Sequence, residues 1–176
     1  MLGQRETKMI RAATESDAQA IADIYNYYIE NTVVTFEERA VSKGDILERI
    51  QKVTGSSLPW LVAEDGGVVI GYAYAGKWNV RSAYRHTVET TIYLSSSSIS
   101  KGWGTQLYQA LFDILRDKSI HIVIGGITLP NPASIALHEK FGMKKVAHFP
   151  EVGYKFGQWL DVGYWQMGLK PKTEIG

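Results

Sequence analysis

The chain has 176 residues, 45% of them hydrophobic, and a formal net charge of +1. That length and apolar share suit one domain with a real core, and the near-zero charge removes the electrostatic case for nucleic acid or a membrane surface as a main partner. The absence of cysteine excludes disulfides, thiolate metal sites and a cysteine nucleophile, and no metal is expected.

Residues 1–8 are polar, and no apolar run approaches the roughly 18 residues of a membrane span. The expectation is a cytoplasmic protein with a single domain over 9–170. Residues 1–8 and 171–176 then read as polar extensions, with Met9 the start of the fold.

Met9–Ala13 reads as a first strand. Thr14 offers a cap for a helix beginning near Asp17, with Ile21, Ile24, Tyr25 and Tyr28 on one face and an end near Asn31. Thr32–Phe36 is extended. Ser42–Val53 is a second amphipathic helix, with Ile46, Leu47, Ile50 and Val53 inward. Trp60–Ala63, the turn Asp65-Gly66-Gly67 and Val68–Ala75 form a hairpin signal. Lys77–His86 is a polar and aromatic loop.

Val88–Leu94, rich in β-branched residues, is a strand. A serine-rich loop, Ser95–Ser100, and Lys101-Gly102-Trp103-Gly104-Thr105 follow it. Leu107, Ala110, Leu111, Ile114 and Leu115 then mark one apolar face of a helix. A Gly-containing loop between a strand and a helix N-terminus exposes free N–H groups at the positive end of the macrodipole, where phosphate is the usual guest. Lys101 adds a charge, and Gly102 and Gly104 permit close approach. The loop matches neither Gly-x-Gly-x-x-Gly nor the nucleoside triphosphate loop, and an ordinary strand–turn–helix connection explains the same residues.

Ile120–Ile127 is nearly unbroken in apolar character, as a strand buried on both faces should be. Asn131–Lys140 is a short helix, Val146–Phe149 begins another strand, and Val162–Leu169 closes the sheet. The fold class is α/β, a central mixed sheet flanked by helices.

Three segments carry a family resemblance: Gly102-x-Gly104 before a Leu-bearing helix, Asn131-Pro-Ala-Ser134 through His138 to Phe141-Gly142, and Glu151-Val-Gly-Tyr-Lys155-Phe-Gly-Gln-Trp159-Leu-Asp161. With Tyr84–Glu89 they resemble the GNAT N-acetyltransferases, in particular the phosphinothricin and methionine sulfoximine N-acetyltransferase branch, over about Met9–Leu169. The resemblance implies the GNAT acyl-CoA N-acyltransferase fold, acetyl-CoA as co-substrate, a small amino acid or analogue as acceptor, and a homodimer.

It also implies roles. Ser100–Thr105, which includes Lys101, Gly102, Trp103 and Gly104, would hold the pyrophosphate. The Ile92, Tyr93 and Leu94 backbone would pair with pantetheine, with the Ile92 N–H stabilising the oxyanion. Asn131 would bind the pantetheine arm and Ser134 the phosphate region. Phe36, Arg81, Tyr84, Arg85, Glu89 and Thr90 would bind the acceptor, the arginines by gripping its carboxylate. Tyr154, Lys155 and Phe156 would reach the acceptor site, of this subunit or a partner. Where branch members carry arginine and glycine, this chain has Ile99 and Ser100. A residue there needing positive φ makes serine costly, and weaker CoA binding is expected.

Thioester-to-amine transfer needs positioning, a base for the ammonium and a proton for the thiolate. Glu89, a carboxylate within an apolar strand, is the candidate base; an ion pair with Arg85 is the plainer alternative. His138 stands where many relatives carry an acidic tyrosine, so an imidazolium could protonate the thiolate; a capping or core histidine explains it as well. Asn131 is equally a helix cap. Trp159 and Trp165 read as core or interface. Two rival functions remain: a degenerate domain sensing acyl-CoA, and an N-acetyltransferase for a peptide, protein or polyamine.

Overall fold

In a computed structural model, residues 8–170 are described; the two terminal extensions lie outside them, apart from Lys8. Strands β1 (Lys8–Ala12), β2 (Trp60–Asp65), β3 (Val68–Lys77), β4 (Thr87–Leu94), β5 (Ile122–Leu129), β6 (Lys144–Lys155) and β7 (Gln158–Gly168) form one sheet in the order β1-β2-β3-β4-β5-β7-β6. Helices α1 (Ala18–Asn31), α2 (Lys43–Gly55), α3 (Trp103–Arg116) and α4 (Pro132–Lys140) cover it.

Two cores separate the faces of the sheet. Leu107, Tyr108, Leu111, Phe112 and Leu115 of α3 are all fully buried against Leu61, Ala73, Val88 and Val123. Each such side chain contributes roughly 1.5–3 kcal/mol of hydrophobic stabilisation. The opposite face is packed by Ile21, Ile24, Ile46 and Ile50 of α1 and α2 against Trp60, Val62 and Tyr72. The α2 start is fixed by Ser42, whose hydroxyl accepts from Asp45 N while Asp45 reaches back to Ser42 N. Thr14 caps a 3₁₀ turn, Glu15–Asp17, that leads into α1 rather than capping α1 itself.

Only β4 and β5 run parallel, and their pairing stops after Glu89↔Ile124. Both strands continue, β4 held by β3 as far as Gly71↔Leu94 and β5 by β7 as far as Leu129↔Asp161. The sheet therefore splits into a cleft lined by two half-free strand edges.

The last two strands exceed the sequence expectation. The hairpin spans Lys144 to Gly168, closed by Phe156 and Gly157, both with positive φ. Register shifts between Lys145/Ala147 and Phe149/Gly153 break the alternation that would have marked it. Trp165 is buried, whereas Trp159 is 64% exposed and belongs to no core.

Candidate active site

Where β4 and β5 part, a cavity of about 770 Å³ opens, the size of a small-molecule site. Glu89 stands at its closed end. Alternation directs Val88 and Thr90 toward α3 and Glu89, Thr91 and Tyr93 toward α1 and α2. Glu89 is flanked by glycine on both sides: Gly76 pairs with it on β3, and a Cβ at Gly126 of β5 would come within 3.2 Å of its Oε1. No ion pair forms with Arg85, whose guanidinium donates instead to Ser82 O at 3.2 Å. Burial pushes the Glu89 carboxyl above its ordinary range.

The open edge of β4 follows from register. Ser95 N donates to Ile70 O, so odd-numbered residues bond to β3, and the N–H and C=O of Thr90, Ile92 and Leu94 point into the cleft. The Leu94 carbonyl is already taken by the Tyr28 hydroxyl at 2.6 Å. The Ile92 N–H and C=O are presented to whatever lies in the cleft.

Beyond β4 the chain turns through a short 3₁₀ segment into α3. Ser100 sits at φ 64 and Gly102 at φ 83, so serine adopts the left-handed conformation that glycine would hold at less cost. Gly102 caps α3 without a side-chain bond, leaving the N–H groups of the first turn unclaimed. Ser100, Gly102, Gly104 and Thr105 line the cavity. Lys101 is exposed beside it, and Trp103 turns away into the core. Gly104 sits close to α4: a Cβ there would meet the Leu137 side chain at 3.3 Å.

On the facing wall Asn131, Ser134 and His138 all reach the cavity from α4. Asn131 Oδ1 accepts from Ser134 N at 3.1 Å, so its capping role is realised. His138 is 3% exposed. Its Nδ1 donates to Ser134 O at 2.7 Å, which leaves Nε2 as the acceptor for the Tyr108 hydroxyl at 3.0 Å. Burial lowers its pKa, against the opposing effect of the bond to the Ser134 carbonyl, and so disfavours the imidazolium. Gly125 makes room for the ring, since a Cβ there would overlap Nε2 at 2.5 Å. Tyr108 belongs to no sequence motif named above; only the fold pairs it with His138.

The acceptor end is assembled from distant segments. Val34, Thr35 and Phe36 of the α1–α2 loop, Phe149 and Val152 of β6 and Tyr164 of β7 line the cavity together with Glu89. Thr90 and the extended Thr32–Phe36 segment, with Val34, Thr35 and Phe36, were expected there; Phe149, Val152 and Tyr164 were not. The Gly125-Gly126 pair inside an apolar strand was the available signal of close approach. Arg81, Tyr84 and Arg85 form an exposed 3₁₀ turn outside the cavity lining. The stem of that loop is tied to the site by Trp78, whose ring meets Tyr164 edge-on at 5.5 Å. No cluster of three metal-ligating side chains occurs among the described residues.

The family model of the acetyltransferase (GNAT) domain matches residues 10–163. The chain is 38% identical to the L-amino acid N-acyltransferase MnaT of Escherichia coli, covering 94% of this chain and 96% of that one. It is 39% identical to a phosphinothricin N-acetyltransferase of Streptomyces viridochromogenes, covering 94% and 90%. It is 37% identical to an L-methionine sulfoximine/L-methionine sulfone acetyltransferase of Salmonella typhimurium, covering 91% and 94%. Among solved structures, a phosphinothricin acetyltransferase of Sinorhizobium meliloti in complex with acetyl-CoA superposes with a TM-score of 0.89 at 35% identity, covering 96% of this chain and 95% of that one.

Proposed function

The chain belongs to the GNAT acetyltransferase family, and we propose that it moves the acetyl group of acetyl-CoA directly onto the amine of a small amino acid or analogue. Phosphinothricin and methionine sulfoximine or sulfone head the acceptors, because relatives covering nearly the whole chain carry those names. The observation that carries the mechanism is Glu89: a half-buried carboxylate with no ion-pair partner among the described residues, glycine-flanked, at the point where the strands part.

In this reading the pantetheine arm pairs with the free edge of β4, and the α3 N-terminus receives the pyrophosphate. Ser100, Lys101, Gly102, Gly104 and Thr105 surround it, and Trp103 supports the turn from the core. Asn131 and Ser134 hold the opposite side. The acetyl carbonyl then lies near the Ile92 N–H, which stabilises the developing oxyanion. Glu89 takes the ammonium proton directly or through water, and its raised pKa makes it a better base near neutrality. The amine attacks the carbonyl, the C–S bond breaks, and the thiolate takes a proton. His138 is held neutral, so it positions Tyr108 and the first turn of α4, while water supplies that proton. Arg81, Tyr84 and Arg85 guard the acceptor entrance.

A thiol-release assay with acetyl-CoA against phosphinothricin, methionine sulfoximine, free amino acids, spermidine and a peptide tests this. Turnover of the first two, cut by roughly 10²-fold or more in Glu89→Gln, is expected. Silence across the panel with acetyl-CoA still bound would turn the reading to an acyl-CoA sensor. A cytoplasmic homodimer completes the proposal. Val152, Tyr154, Phe156 and Trp159 are all more than half exposed on one hairpin, an apolar group that a second copy would cover. Sedimentation equilibrium should give twice the chain mass; a monomer at micromolar concentration would refute it.

A further inference from the structure

The part of the cavity wall that β6 provides comes from an irregular stretch of strand. Phe149 pairs with Val162 and Gly153 with Leu160, so Pro150, Glu151 and Val152 of β6 stand opposite Asp161 of β7 alone. Such a bulge leaves ladder groups unpaired. Pro150 has no N–H to lose, and Glu151 takes φ 50, a conformation that is costly for an L-residue. Phe149 at the start of the stretch and Val152 at its end are the two β6 residues that line the cavity.

The Asp161 side chain replaces the missing ladder. Val162 and Tyr164 line the cavity, so alternation sends Asp161 to the opposite face of the hairpin. There Asp161 Oδ1 accepts from the Glu151 N–H at 2.8 Å, and Oδ2 accepts from His148 Nε2 at 2.7 Å. The Lys145 ammonium donates to His148 Nδ1 at 2.9 Å, which fixes the neutral tautomer with its proton on Nε2. Lys145 sits at the other register shift of β6, and its Nζ lies 5.5 Å from the ring centroid of the buried Trp165. The Glu151 N–H and His148 together hold the Asp161 carboxyl below its usual range. A continuous strap thus runs from the core through Lys145, His148 and Asp161 to the backbone behind the cavity wall. None of these three side chains lines the cavity.

We propose that Asp161 is a positioning residue for the acceptor: its carboxylate, braced by His148 and Lys145, sets the β6 bulge and so places Phe149 and Val152 against the acceptor's side chain. Tyr164 completes that wall, its ring meeting Phe149 edge-on at 5.7 Å. A bond from a backbone N–H to a carboxylate is stronger than a neutral one, and this one holds a backbone that would otherwise relax out of the left-handed region. Asp161 touches neither the substrate nor the reacting atoms. The strap joins only β6 and β7, so the β4 edge and the α3 N-terminus do not depend on it.

The inference rests on the amino-acid reading above, and one experiment separates their failures. With the best acceptor among methionine sulfone, methionine sulfoximine and phosphinothricin, kcat and both KM values are measured for wild type, Asp161→Ala, Asp161→Asn and His148→Ala. Thermal melting confirms folding. Loss of the charged partner of the Glu151 N–H should raise the acceptor KM about tenfold in Asp161→Ala, with kcat and the KM for acetyl-CoA within about threefold of wild type. Asp161→Asn keeps an acceptor for that N–H and should recover most of the loss, and His148→Ala should move the acceptor KM the same way by less. An acceptor KM unchanged in Asp161→Ala, or a rise matched by that for acetyl-CoA, overturns the inference and leaves the amino-acid reading standing. Wild type without turnover of any of the three acceptors overturns both.

Discussion

At the cofactor end of the cleft the polar groups are backbone: the β4 edge beyond Glu89 and the uncapped first turn of α3. At the acceptor end they belong largely to side chains, with Glu89, Thr35 and Tyr164 brought in from three separate segments. A backbone edge and a helix N-terminus serve any thioester of the same carrier, and the side chains around them can drift. In the proposed reaction, a carboxylate and an aromatic wall decide which amine is accepted. The general part of the reaction is built into secondary structure and the particular part into tertiary packing.

The sharpest way to break that comparison is at Glu89. Glu89→Gln should lower kcat by roughly 10²-fold or more while acetyl-CoA affinity, measured by calorimetry, stays within a few-fold. In wild type, kcat/KM should rise with pH through the raised Glu89 pKa, because only the carboxylate accepts the proton. The fold responds with the opposite sign. A carboxyl whose folded pKa lies above its unfolded value favours folding at low pH, and that contribution is lost as pH climbs through the folded pKa. Glu89→Gln should therefore melt no lower than wild type at pH 7, and a clear loss of stability would show that Glu89 holds the structure together.

How much of each end could be read from the sequence follows the same division. The cofactor end is local: a β-branched strand, a Gly-x-Gly turn and a helix with Leu107, Leu111 and Leu115 in phase lie within about thirty residues, and each has a period or a turn signal. The acceptor end is not local. Val34 and Tyr164 are 130 positions apart in the numbering, and nothing in a one-dimensional pattern brings them together. The β6–β7 hairpin hid because its bulges break the period of two. Lys155, expected at the acceptor site of this subunit or a partner, is buried on the Thr35 carbonyl, a contact across 120 positions that no local pattern signals. Arg81 and Arg85, the obvious cations, lie outside the lining.

Tyr108 tests whether the cofactor end has side-chain chemistry after all. Tyr108→Phe leaves His138 Nε2 buried without a donor, which should cost about 1–3 kcal/mol of stability, read by urea unfolding. If the pair only positions α4, kcat stays within about threefold, since both sides of the reaction keep their own proton carriers. A fall as large as that of Glu89→Gln would place the proton donor for the thiolate at Tyr108 and His138, and the cofactor end would no longer be mainly backbone.

The smallest effect is expected at Ser100. Its left-handed backbone at φ 64 costs an L-residue roughly 1–2 kcal/mol, and glycine would remove that cost. Glycine also enlarges the unfolded ensemble, which returns about 0.5–1 kcal/mol. Ser100→Gly should thus stabilise the chain by up to about 1 kcal/mol. The turn already has the shape that a glycine would give it, so the pyrophosphate donors do not move, and acetyl-CoA should bind within about threefold of wild type, less than one hydrogen bond's worth. A tenfold gain in affinity on calorimetry would show that serine distorts the loop beyond its own φ, and that even a site made of backbone depends on the side chain at its corner.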